Sequence, residues 1–100
     1  MKQAHQFNAK IWLYPGGQGA WRFITVPKTL SAKIKETYGE KARGWGSLKV
    51  SARIGETVWE TSIFPERKSA TYLLPVKSAV RIKEGIDTGD SVSVRLTIRT

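Results

Sequence analysis

Residues 47–64, "SLKVSARIGETVWETSIF", decide the architecture. Leu48, Val50, Ala52 and Ile54 alternate with polar residues, the period of two that belongs to a half-buried strand. Gly55-Glu56 then supplies a glycine-first two-residue turn of the II′ kind, so TVWETSIF (57–64) returns as the second strand of a hairpin. The same alternation recurs at the far end of the chain: in SVSVRLTIR (91–99), Val92, Val94, Leu96 and Ile98 are spaced by polar residues. Near the start, FNAKIWLY (7–14) and WRFITV (21–26) flank PGGQGA (15–20) and predict another hairpin with a longer, mobile tip. That tip lacks the Lys-Ser/Thr ending of a phosphate loop and follows no βαβ pattern.

Two segments between the strands have helical character. Pro27 precedes KTLSAKIKETYG and Pro75 precedes VKSAVRIKEG, with a glycine closing each, the asymmetry expected of a helix start and stop. Leu30 and Ile34 are four apart in the first, and Val76, Ala79 and Val80 share a face in the second, so both helices should be short and amphipathic. Ala32–Glu36 aligns with Val80–Glu84 at the same offset as the two prolines, Tyr14-Pro15 aligns with Phe64-Pro65, and SLKVSARI aligns with SVSVRLTI. The chain therefore reads as two copies of a strand, strand, helix, strand unit. Six strands with no free apolar face predict a mainly β protein: one domain over residues 1–100, a small closed β-barrel of about six strands with two short helices. Closure removes the edges that an open sheet would expose.

One hundred residues suit one domain. There is no cysteine and a single histidine, His5, so no disulfide, thiolate metal site or cysteine nucleophile is expected, and no cofactor. The opening MKQAHQFNAK has no apolar core of a signal peptide, and no stretch approaches the roughly 18 apolar residues of a membrane span. The expectation is a cytoplasmic protein with no membrane partner. Seventeen Lys and Arg stand against eight Asp and Glu, a formal charge of +9. A field of that sign favours anionic partners, nucleic acid first, and the cations are spread along the chain rather than gathered in a tail.

Four separated motifs, RGWGS (43–47), WETSIFP (59–65), YLLPVKSAVR (72–81) and GIDTGDSVSV (85–94), resemble the bacterial family known as domain of unknown function nineteen-oh-five. The resemblance runs from Trp12 to Ile98. It implies a small barrel akin to the double-split barrels, the fold class of AbrB-like transition-state regulators and MazE-like antitoxins, with the duplication inside one chain, and it brings no established activity. Gly55-Glu56 departs from the Gly-Gly common at that hairpin and should alter only the turn.

Two groups of residues are candidates for an anion site. In RGWGS, glycines on both sides let Trp45 fold inward as a plug and leave Arg43 at the rim with Ser47 beside it; packing by Trp45 and direct ligand contact are the alternatives. Lys77 and Arg81 are four apart on one helix face, near backbone N–H groups freed at the helix start, and Thr61 and Ser62 could add hydroxyls. The competing reading has Lys77 and Arg81 pairing with carboxylates such as Glu84 or Asp90 and bracing the barrel. Asp90, in the Gly85–Asp90 turn, should accept backbone hydrogen bonds rather than act as a catalytic acid.

Trp12, Tyr14, Trp21, Trp59 and Tyr72 are many aromatics for so short a chain. Trp12 is out of phase with Phe7, Ala9, Ile11 and Leu13 and should face away from them. Outward aromatics among Lys10, Arg22 and Lys49 would form a stacking platform for single-stranded nucleic acid, whereas Trp59 is expected in the core. The first function is a non-enzymatic binding module for an anionic partner, nucleic acid or a phosphorylated ligand. The second is a small-molecule or enzymatic pocket between barrel and helices, disfavoured because no close acid pair or second histidine is present and nothing activates Ser47, Ser62, Lys77 or Tyr72. The third is a protein-interaction or dimerisation scaffold, and monomer against homodimer is left open by the sequence.

Overall fold

The computed structural model describes residues 4–15, 21–42 and 44–100, with Trp45 described through its backbone. The strands are β1 (Ala4–Leu13), β2 (Arg22–Thr25), β3 (Leu48–Ile54), β4 (Thr57–Glu66), β5 (Thr71–Pro75) and β6 (Ser91–Ile98), and the helices are α1 (Lys28–Tyr38) and α2 (Ser78–Glu84). Short 3₁₀ turns at Gly39–Lys41 and Gly44–Gly46 join α1 to β3. The strands close into a barrel in the order β1-β2-β5-β4-β3-β6, antiparallel at every described junction. The expected mainly β, six-stranded closed barrel with two short helices is thus the observed fold. No helix among the described residues is long and apolar enough to cross a membrane.

Alternation fixes which side chains enter the barrel. On β3, Leu48, Val50, Ala52 and Ile54 are all buried and meet Ile63, Thr61, Trp59 and Thr57 of β4 in register. Gly55 takes a positive φ of 58° at the turn between them, a conformation that glycine adopts without a Cβ penalty. On β6, Val92, Val94, Leu96 and Ile98 point inward, and with Ile11, Ile24 and Leu74 they form one continuous core. Trp59 belongs to that core at 7% exposure, as the sequence predicts.

The helices seal this core with few residues. α1 contributes Ile34 and, partly buried, Leu30. Its Ser31 hydroxyl donates to the Val26 carbonyl at 3.0 Å and accepts from the Tyr72 N–H at 3.1 Å, tying helix, β2 and β5 at one buried point. In α2 the buried residue is Val80, while Ala79 is exposed, against expectation. The cause is where that helix starts. Pro75 is the last residue of β5, opposite Phe23, and the Val76 N–H still bonds the Arg22 carbonyl, so the chain remains extended through Lys77, the N-cap. Pro27 does cap α1 directly. The Val26 N–H bonds the Tyr72 carbonyl and the Val76 N–H bonds the Arg22 carbonyl, so the residue just before the N-cap of each helix is held to a neighbouring strand.

Candidate functional site

The outer face of β1 and β2 gathers the aromatics that the core excludes. Trp12 pairs with Phe23 across the two strands, and the Tyr14 N–H bonds the Trp21 carbonyl just beyond. Because side chains alternate, Trp12 faces away from buried Ile11, as its phase requires, and lies against Phe23 with ring centres 5.5 Å apart. Tyr14 meets Phe23 edge-on at 5.8 Å, and Trp21 stacks on Phe23 at 6.0 Å with planes 9° apart. The Trp12 indole N–H donates to the Thr25 hydroxyl at 2.9 Å and fixes that ring. Trp21 remains 58% exposed and Tyr14 47%. Tyr14, Trp21, Phe23, Phe64 and Leu73 enclose an apolar slot of about 330 Å³. A cluster of this kind contributes about 0.5–1.5 kcal/mol per ring pair beyond burial, yet it leaves most of the Trp21 side chain open to solvent.

Trp21 also borders a second depression, of about 380 Å³, walled by Arg22, Pro75, Val76, Lys77, Ser78 and Arg81. Arg22 and Arg81 converge there on one carboxylate: Arg22 Nε donates to Asp87 Oδ1 at 3.0 Å, and Arg81 Nη1 lies 3.8 Å from the same oxygen. The Thr88 backbone N–H donates to that oxygen at 2.7 Å. This bond foremost, with the two guanidiniums, holds the Asp87 carboxyl below its usual range. Arg81 is mostly buried, and its Nε–H has no hydrogen-bond partner. Among the described residues Lys77 Nζ reaches only the Glu60 carbonyl, at 3.3 Å, and no carboxylate pairs with its charge. The cleft therefore holds three cations against one shared acid.

The candidate residues separate into groups. Lys77 and Arg81 are brought together as their spacing predicts, and the acid beside Arg81 is Asp87 rather than Glu84 or Asp90. Glu84 instead accepts from the Thr57 hydroxyl, and Asp90 accepts from the Asp87 N–H at 2.8 Å, the turn role expected of it. Thr61 shares the inner face of β4 with Trp59 and Ile63, whereas Ser62 pairs with Lys49 and faces outward. Adjacent strand residues point to opposite sides, so the two hydroxyls do not serve one site, and neither lines the Lys77–Arg81 cleft. With α2 beginning at Ser78, the proline-led helix start expected at Pro75 is absent. Arg43 lies outside the described residues, as does the Gly16–Gly19 tip. Trp45 has its backbone in the 3₁₀ turn, and Ser47 Oγ donates to the Gly44 carbonyl at 3.3 Å, closing that turn.

Beside this turn lies a wider groove of about 940 Å³, bordered by Lys35, Gly46, Phe64, Pro65, Arg67 and Tyr72. A Cβ added at Gly46 would lie 3.0 Å from the Pro65 ring, and its φ is 78°, so Gly46 brings backbone close against β4 here. Burial raises the Tyr72 pKa above the usual phenol value. The sequence gives no signal for Phe23, Phe64, Arg67 or Asp87 as partners in these depressions, because only barrel closure sets β2, β5 and β4 side by side.

Comparison with curated proteins finds no match. The sequence model of one family, the domain of unknown function DUF1905, matches residues 7–96, most of the chain, from within β1 to within β6. The protein belongs to the DUF1905 family.

Proposed function

We propose that this protein is a non-enzymatic binding module for an anionic partner, a nucleic acid or a phosphorylated ligand, engaged through the basic cleft at Lys77 and Arg81. The observation that carries the reading is the meeting of cations and an open aromatic face at Trp21. Lys77 carries a charge no carboxylate matches, and Arg81 keeps a buried Nε–H without an acceptor. An unsatisfied buried donor costs about 1–3 kcal/mol, which an incoming anion offsets. The flat face of Trp21 beside it suits a ring attached to that anion, since stacking is tolerant of ring identity. Ser47, Thr61 and Ser62, spent on turn and strand, have no part in this reading.

Tryptophan fluorescence titrations at low and physiological salt, with an oligonucleotide, a duplex and a set of phosphorylated ligands, test it. At least one anion should quench emission with an affinity that falls as salt rises. Lys77→Ala should weaken that ligand roughly tenfold and reduce the salt slope by about one, with the circular dichroism spectrum unchanged. No response to any anion, or full affinity in Lys77→Ala, overturns the proposal and makes the Arg22–Asp87–Arg81 cluster a brace. The exposed apolar slot gives one ground for a second reading, a protein-interaction surface.

A further inference from the structure

The three depressions described above form a row. Trp21 is shared by the basic cleft and the aromatic slot, and Phe64 is shared by the slot and the wide groove. The row crosses the outer face of β2, β5 and β4, which are neighbours in the barrel. Its two ends are cationic, Lys77 with Arg22 and Arg81 at one and Lys35 with Arg67 at the other. Its middle is aromatic and aliphatic; none of the described lining residues is Asp or Glu, and the acid that engages its cations is Asp87, paired with Arg22 and Arg81. We propose that this row is a track for single-stranded nucleic acid, with bases against Trp21 and Phe64 and phosphates at the two cationic ends. The inference rests on the anion-binding reading of the same face and names its partner.

The pattern of charge selects the occupant. Neighbouring strands are about 4.8 Å apart, so three strands hold the two cationic ends on the order of 10 Å apart or more, beyond the span of one phosphate group. A phosphorylated metabolite satisfies one end and leaves the other empty. A polymer whose charge repeats, with flat apolar groups between the charges, satisfies both ends and the middle together. A duplex presents its charges but keeps its bases stacked inside, where Trp21 cannot reach them. A second copy of this chain would bring its own surplus of cations, from a formal charge of +9, against a face that is already cationic.

Fluorescence anisotropy of a labelled oligothymidylate of about a dozen nucleotides, within the site sizes known for small barrels, reads the inference directly. Thymidine monophosphate and a duplex of equal length compete for it at fixed salt. The oligonucleotide should bind at least tenfold tighter than either competitor. Lys35→Ala/Arg67→Ala, at the end remote from Lys77, should weaken the oligonucleotide about tenfold and lower its salt slope by about 1.4, two contacts at about 0.7 each for a single strand. The same variant should leave monophosphate affinity unchanged. Trp21→Ala should weaken the oligonucleotide, and Trp21→Phe should restore most of the loss. An oligonucleotide that binds no tighter than the monophosphate, or is indifferent to Lys35→Ala/Arg67→Ala, overturns the track while leaving the anion cleft standing. Equal binding of duplex overturns it as well. Failure of every anion overturns both readings, and a doubled mass by light scattering alongside that failure assigns the face to a second copy.

Discussion

His5 shows how one residue carries a condition into the fold. It lies on the inward phase of β1, opposite Leu96 of β6, and its Nε2 is buried without a partner. Burial, and secondarily the charge of Lys33, lower its pKa below the usual histidine value. The unfolded chain therefore takes up a proton near pH 6.5 that the folded chain still refuses, and stability falls as pH drops below that point. Urea unfolding at pH 7.5 and pH 5.5 should show a loss of stability in the native sequence and a smaller loss in His5→Leu, which removes the titrating ring. An equal loss in both would place the sensitivity elsewhere. Residue-scale chemistry was only partly legible: one histidine is visible in any sequence, but its burial depends on where β6 lies. Lys77 and Arg81 were legible as a pair, since four residues in a helix turn share a face. Asp87 was not, because its meeting with Arg22 spans most of the chain.

At the scale of elements, α1 is attached to the barrel by Ser31 as much as by its apolar stripe. Ser31 is 2% exposed, and its hydroxyl serves the Val26 carbonyl and the Tyr72 N–H at once. Ser31→Ala leaves a buried N–H and a carbonyl each short of this partner, which costs about 1–3 kcal/mol. The midpoint of thermal unfolding should drop accordingly, and a change within error would show that water replaces the hydroxyl. The serine gives no signal in sequence, since KTLSAKIKETYG reads as an ordinary amphipathic helix with a polar residue in its first turn. Its neighbour α2 illustrates the opposite failure. Pro75 is a reasonable helix start by propensity, but the ladder between β2 and β5 runs on through Val76 and delays the helix to Ser78. Tertiary pairing overrides the local signal.

For the molecule as a whole, the excess of positive charge acts on stability as well as on partners. The described residues hold three ion pairs, two of them sharing Asp87, so few cations are matched locally and repulsion spreads over the barrel surface. Raising sodium chloride from 10 mM to 150 mM shortens the screening length from about 30 Å to about 8 Å. The unfolding midpoint should rise with salt over that interval. A fall would mean that attractive pairs dominate the electrostatics. The same screening weakens oligonucleotide binding, so stability and affinity should move in opposite directions with salt, a combination that a simple loss of structure cannot produce.

By itself, the sequence determined every strand but β5, the hairpin at Gly55, the inward phase of Trp59 and the outward phase of Trp12, and with them a small closed barrel. These follow from period-two alternation and turn chemistry, which act over a few residues. The tertiary structure alone decided that Phe64 joins Trp21 and Phe23 on one surface and that Asp87 stands between Arg22 and Arg81. Each of these depends on the order in which strands close around the barrel. That order is set by packing between residues far apart in the chain, and no local pattern encodes it.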